Sequence, residues 1–349
     1  MSARMNHMPG LDGLRAFAVA GVVWHHAGTK FDWLPITHHG FLGVDLFFVL
    51  SGFLITTLLL REQELRGRIS LKHFYIRRTL RIFPLYYAVL AALTAYFALK
   101  GLGSTQRAAF FAELPFHAAY LSNWIDSHTI LSITWSLSTE EQFYLVSPML
   151  LLILGRRSLA VVVPILILNQ VVNFGFLDSW LRGVGLAYEE HPILQATFTP
   201  LCCGFLLAIA LEYSSVQRLA ARFAPGHALA PLCLLLLATA SIPGELRGWP
   251  RLAFHVVATG LVGAIVLNPT HWVSRALEWR PVAYVGKISY GIYLLHLLVL
   301  YVVKRFPSPE LLDTPGAVFL LSLTGSVFLA SLSYIYFERP LLQLKDRYH

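Results

Sequence analysis

Apolar stretches long enough to cross a bilayer follow one another almost from end to end of this chain, divided by short polar turns. A membrane helix needs about 20 residues, each rising 1.5 Å. Reading apolar runs between charges gives spans near residues 11–28, 41–60, 82–99, 141–154, 159–176, 193–211, 227–243, 252–268, 284–303 and 316–337, ten in all. Residues 108–122 are apolar too, but Glu113, Pro115 and His117 interrupt them, so a re-entrant or surface segment is predicted there. No low-complexity tract, fixed-period repeat or long linker breaks the pattern. The expectation is an all-α, polytopic integral membrane protein with a single domain over residues 1–349.

The basic residues orient these spans. With the N-terminus in the cytoplasm, the inner loops and tails collect Arg4, the run from Arg61 to Arg81, Arg156, Arg157, Arg218, Arg222, Arg275, Arg280, Arg339, Lys345 and Arg347. Only Lys30, Lys100, Arg107, Arg182, Arg247, Arg251, Lys304 and Arg305 fall outside. This is the positive-inside bias, and it predicts both termini in the cytoplasm. Counting 108–122 as a further span would put Arg156 and Arg157 outside, against the rule. The first apolar run lacks a small-residue cleavage site and reads as a retained helix, not a signal peptide.

Composition agrees: 56% of the residues are hydrophobic and 13% charged, against about 25% charged in soluble domains. The net charge of +8 is explained by loop arginines, so no nucleic-acid partner is expected; membrane lipids are the surroundings. Cys202, Cys203 and Cys233 sit in apolar runs without ligand spacing, and His38-His39 lacks a neighbouring carboxylate or thiol, so no metal is expected.

Ionisable side chains inside spans are costly and therefore point to function. Arg15 and His26 lie eleven positions apart on the first helix, about 16 Å along its axis and close to one face, whereas His25 points about 100° away. Asp45 stands among phenylalanines near the start of the second span and needs a partner, and Gly40, Gly43 and Gly52 allow a close neighbour. The stretch Lys72–Pro84 places Arg77, Arg78 and Arg81 together, as a phosphate-binding anion site or as a lipid-headgroup anchor. Before the fourth span come Trp135, Ser136, Glu140, Glu141 and Tyr144. Glu140 has three open readings: it orients His26, it accepts from a substrate hydroxyl, or it caps its helix. His296 either lines the same cavity or is a satisfied interhelical histidine. Glu338-Arg339 reads as an ion pair and Pro340 as a helix stop. On this topology His26, Asp45 and Glu140 belong to the outer half, and Arg15, Arg78 and Arg81 to the inner face. An anionic donor would bind from the cytoplasm and a neutral, hydroxylated acceptor would meet it near His26.

Six segments in order, LDGLRAFAV with a histidine following, FLGVDLFFVLSGFLIT, FYIRRTLRIFPLYY, WSLSTEEQFYL with Pro148, ISYGIYLLH and FERP, resemble the acyltransferase-3 family, which acylates cell-envelope carbohydrates, some lipids and some secreted antibiotics. The resemblance runs from Leu11 to Pro340. It implies a ten-helix fold in a bacterial inner membrane, acetyl-CoA or another acyl-CoA as co-substrate with no tightly bound cofactor, and a carbohydrate or glycosylated acceptor. It also implies that His26 is the base, that Arg15, Arg78 and Arg81, with Arg77 beside them, serve the donor, and that Glu140 serves the active site. Asp45 is expected to help orient His26, and Trp135, Ser136, Tyr144 and His296 to line the substrate site. The chain stops at His349, so a form without the esterase-like domain of some relatives is expected. A covalent acyl-enzyme on Ser51 or Ser136 has no adjacent base that sequence can reveal. The rival reading is a proton-coupled transporter using the same ionisable groups, but the paired broken repeats of such proteins are not found.

Overall fold

The computed structural model describes residues 8, 10–28, 35–99, 105–195, 198–223, 228–244, 246–305 and 316–344. Among these, every regular element is helical. Arg4, Lys30, Lys100, Lys345 and Arg347, counted above toward orientation, lie outside the described residues, as does the side chain of Arg222.

The helices are α1 (Leu11–Ala27), α2 (Leu42–Arg66), α3 (Leu71–Leu99), α4 (Thr105–Ala118), α5 (Thr134–Leu154), α6 (Leu159–Asn173), α7 (Asp178–Gly183), α8 (Phe198–Ala210), α9 (Ser214–Phe223), α10 (Leu229–Ala240), α11 (Trp249–Leu267), α12 (Trp272–Leu277), α13 (Arg280–Lys287), α14 (Ser289–Arg305), α15 (Ala317–Ser333) and α16 (Arg339–Leu344). By length and composition five stretches can cross a membrane: α2, α3, Thr134–Asn173, α11 and Ala317–Leu344. A sixth arises if α13 and α14, bent by 74° at Ile288, form one broken span. Segment α4, only 14 residues long with Pro115 inside it, falls short of a span.

At the centre lies α2, packed on α1, α5, α8 and α11. Glycine sets that closeness: a Cβ at Gly43 would collide with the Ala18 carbonyl of α1, and one at Gly52 with the Leu201 backbone of α8. The packing reading of these glycines therefore holds. On its other side α1 packs against α13, α14 and α15, so α1 is sandwiched between α2 and these C-terminal helices.

Three boundaries differ from the apolar reading. Helix α3 begins at Leu71, because the basic stretch Lys72–Arg81 continues as helix into the span, through Pro84. Helix α5 begins at Thr134, not near 141, so Glu140 is its seventh residue and cannot cap it. At the C-terminal end the chain passes Pro340 without stopping. A π segment over Tyr334–Glu338 leads into α16; the Arg339 N–H reaches back to the Tyr334 carbonyl across this π turn, and Pro340 follows it. The Glu338 carboxylate accepts from Ser333 Oγ at 2.9 Å, a different partner from the expected Arg339.

Candidate active site

Three cavities lie along the α1–α2 seam. A cavity of about 170 Å³ is walled by the start of α1, the second half of α2 and the basic face of α3, and it gathers Arg15, Arg61, Arg66, Arg77, Arg78 and Arg81. Arg15 bonds Asp12 at 3.0 Å and Arg77 bonds Glu62 at 2.9 Å. Among the described residues no carboxylate pairs with Arg78 or Arg81. The Arg78 guanidinium instead lies over the Tyr144 ring, 4.7 Å from its centroid. Guanidinium groups at a cavity wall without a bonded carboxylate favour an anion, and their forks match phosphate. Arg61 and Arg66 join because α2 runs one and a half turns beyond the apolar run; Leu54, Leu58, Arg61 and Leu65 recur at helical spacing on the cavity face.

The second cavity, about 60 Å³, contains Val44, Phe48, Ser136, Glu140, Tyr290 and Tyr293. Here Ser51 Oγ donates to Glu140 Oε1 at 2.5 Å, and Ser136 Oγ meets the Tyr293 hydroxyl at 2.6 Å. Positions 44, 48, 51, 55 and 58 share one face of α2, so the Ser51–Glu140 pair stands between the arginine cavity and the cavities above it. Arg78 and Arg15 are within electrostatic reach of Glu140. Glu140 thus belongs to the middle of the seam on the arginine side, not beside His26.

A third cavity of about 240 Å³ shares Val44 and Tyr293 with the second and is lined by His25, His26, Phe41, Trp135, Glu189 and Glu190. His26 Nδ1 lies 3.0 Å from the Val22 carbonyl and 3.2 Å from His296 Nε2. Among the described residues neither Glu140 nor Asp45 bonds His26; the side chain that meets it is His296, which is buried behind His26 and does not line this cavity.

Asp45 has a different role. Both of its oxygens accept from Arg251, each at 3.1 Å, and Oδ2 also meets His255 Nε2 at 2.9 Å. Exposure is 1%, 6% and 0% for Asp45, Arg251 and His255, so the cluster is sealed in protein. Arg251, assigned above to an outer loop, is inside α11. The triad ties the start of α2 to α11, and among the described residues Asp45 bonds Arg251 and His255, not His26.

Outside the spans two carboxylates brace the frame. Burial works to raise the Glu113 carboxyl, but hydrogen bonds from Ser127, Thr129 and His117 outweigh it and hold it below the usual carboxylate value. His117 Nδ1 in turn meets Thr134 Oγ1 at 2.8 Å, fixing the start of α5 and hence Trp135 and Ser136. Asp178 receives two bonds from Arg247, at 2.8 and 2.6 Å, which hold its carboxyl below the usual value.

A family model described as an acyltransferase domain matches residues 8–336. Over 362 residues the chain is 31% identical to a putative peptidoglycan O-acetyltransferase of Bacillus subtilis, an alignment covering 96% of this chain and 55% of that protein. It is 30% identical to a peptidoglycan O-acetyltransferase of Listeria monocytogenes, covering 96% and 56%. A putative O-acetyltransferase of Staphylococcus aureus is also 30% identical, covering 97% and 58%. The chain spans little more than half the length of these relatives. No solved structure matches it.

Proposed function

The chain belongs to the acyltransferase-3 family of integral membrane proteins, and from that premise we propose that it moves an acyl group, acetyl in the simplest case, from cytoplasmic acyl-CoA to a hydroxyl of a cell-envelope carbohydrate of the peptidoglycan class. The topology of this reading is one membrane domain of ten spans with both termini in the cytoplasm. The membrane-length helices are joined in it by α1, α8 and α10, and Thr134–Asn173 is divided at Gly155.

One observation carries the proposal. The same helix, α1, delivers Arg15 to the arginine cavity and His26 to the histidine cavity, about 16 Å apart along its axis. A pantetheine arm is long enough to bridge that distance while its phosphates stay on guanidinium groups. In this account Arg78 and Arg81, with Arg15 and Arg77 at the rim, hold the phosphates of the donor. The Glu140–Ser51 pair and Tyr144 line the passage. Trp135 borders the chamber where the acceptor arrives, and Ser136 lines the smaller cavity next to it.

The acceptor hydroxyl gives its proton to His26 as its oxygen bonds to the thioester carbonyl carbon. Collapse of the tetrahedral adduct breaks the C–S bond, and the departing thiolate takes the proton back from His26. General-base help of this kind is worth roughly 10² to 10⁴ in rate. Purified protein given acetyl-CoA labelled in the acetyl group, with and without soluble peptidoglycan fragments, tests the reading. Ester-linked label in the glycan supports it; acetyl-CoA consumed with no labelled glycan in any fragment tested contradicts the acceptor class.

A further inference from the structure

Two carbonyl contacts fix which ring nitrogen carries hydrogen in the His26–His296 pair. His296 Nδ1 meets the Tyr293 carbonyl at 2.5 Å. A carbonyl oxygen only accepts, so this nitrogen holds the hydrogen. A neutral imidazole has a single N–H, which leaves His296 Nε2 with a bare lone pair. That lone pair faces His26 Nδ1 at 3.2 Å, and the same His26 nitrogen faces the Val22 carbonyl at 3.0 Å. Both neighbours are acceptors, so His26 Nδ1 is the protonated nitrogen. Its Nε2 keeps the lone pair, and among the described residues no hydrogen bond occupies it.

We infer that His296 is a positioning residue that sets the tautomer of His26 and so makes Nε2, on the ring that lines the 240 Å³ cavity, the nitrogen that accepts the acceptor's proton. The inference rests on reading His26 as the base. The pair works as a neutral counterpart of the histidine–carboxylate arrangement, in which the group behind the base fixes its tautomer and orientation and then stabilises the imidazolium. Once His26 Nε2 has taken a proton, both ring nitrogens carry hydrogen, and the bonds from Nδ1 to His296 and to Val22 become charge-assisted and stronger. His296 needs no charge of its own, which suits a position that is 1% exposed. Stacking does not explain the pair: the rings are inclined at 56° with centroids 4.9 Å apart, and the nitrogen-to-nitrogen approach is what the arrangement preserves.

The test uses the full chain in nanodiscs with acetyl-CoA and soluble peptidoglycan fragments. It compares wild type with His26→Ala, His296→Leu and His296→Gln. Glutamine offers an amide oxygen where His296 Nε2 stood, so it keeps an acceptor for His26 Nδ1; leucine offers none. His296→Leu is expected to lower kcat on the order of 10²-fold while KM for acetyl-CoA stays within about twofold, and His296→Gln is expected to recover about tenfold of that loss. A merely structural role would not separate Gln from Leu in this way. In parallel, ¹⁵N NMR of histidine-labelled wild type, with His26 assigned by difference against His26→Ala, is expected to find the hydrogen on Nδ1. If His26→Ala is inactive but His296→Gln is no better than His296→Leu, or if the His26 hydrogen is on Nε2, the positioning role is overturned and the base reading stands. If His26→Ala turns over normally, the base reading falls and this inference falls with it.

Discussion

Ser51 Oγ donates to Glu140 Oε1 at 2.5 Å across the seam that separates the arginine cavity from the histidine cavity. A serine bonded to a carboxylate has a proton acceptor at hand, which answers what sequence left open about an acyl-enzyme at this position. The level of the pair argues against that chemistry. Along α2, Ser51 is seven residues, about 10 Å, from Val44 at the histidine cavity, so an acyl group parked on Ser51 would be stranded from His26. Direct transfer therefore predicts that protein incubated with acetyl-CoA and no acceptor shows no acetyl adduct in its intact mass. It also predicts that Ser51→Ala keeps kcat within about tenfold, well short of the 10² to 10⁴ of general-base loss. A stoichiometric adduct on a peptide containing Ser51 would overturn this.

The arginines should not be equivalent. Arg77 is committed to Glu62, whereas Arg78 and Arg81 face the cavity with no salt-bridged carboxylate among the described residues. Removing one charged hydrogen-bonding group costs about 1.5 to 3 kcal/mol. Arg78→Ala and Arg81→Ala should therefore raise KM for acetyl-CoA about 10- to 100-fold, and Arg77→Ala by much less. Titration of acetyl-CoA by initial rate checks the order.

The Asp45 triad should register in stability. Removing one partner of a buried ion pair costs about 3 to 5 kcal/mol, because the other charge is left unpaired, while replacing both with apolar groups of similar size is far milder. Asp45→Ala should lower the melting temperature sharply in detergent, and Asp45→Leu combined with Arg251→Met should restore most of it. If Asp45→Ala melts like wild type yet is inactive, the carboxylate belongs to the chemistry after all.

The Asp178–Arg247 pair carries a pH signature. Its hydrogen bonds depress the Asp178 pKa in the folded protein, so the associated stability is present above the unfolded carboxylate value, about 3.9, and is lost as pH falls through the lower, folded value. Asp178→Asn should melt a few degrees below wild type at pH 7, about 2 to 4 °C for a partly exposed pair. The gap should close only in strong acid. Melting curves of both proteins across pH test this, and a gap independent of pH would contradict it.

Much of this was legible in the sequence because membrane helices announce themselves by apolar length and basic ends. Arg15, Arg78 and Arg81 share a cavity as their position at one end of the spans led us to expect, and His26 stands at the far end of α1 as its spacing from Arg15 required. What sequence could not show was pairing across distant positions. Asp45 meets residues 206 and 210 positions away, and His26 meets one 270 positions away; no local periodicity encodes such contacts. Glu140 was misplaced for a different reason. The polar run Thr134–Thr139 reads as a loop before an apolar helix, but the hydroxyl groups of Thr134, Ser136, Ser138 and Thr139 are bonded inside the bundle, by His117, Tyr293, Ser122 and Asn123 in turn, so the helix starts earlier.

Transfer across the membrane is the measurement that tests the central claim most directly. Proteoliposomes would hold soluble peptidoglycan fragments inside, with labelled acetyl-CoA supplied only outside. The account predicts ester-linked acetyl in the trapped glycan while coenzyme A is released outside, with the product lost in His26→Ala and donor use weakened in Arg78→Ala. Acetylated glycan that appears only when donor and acceptor share one side, or that survives His26→Ala, would contradict it.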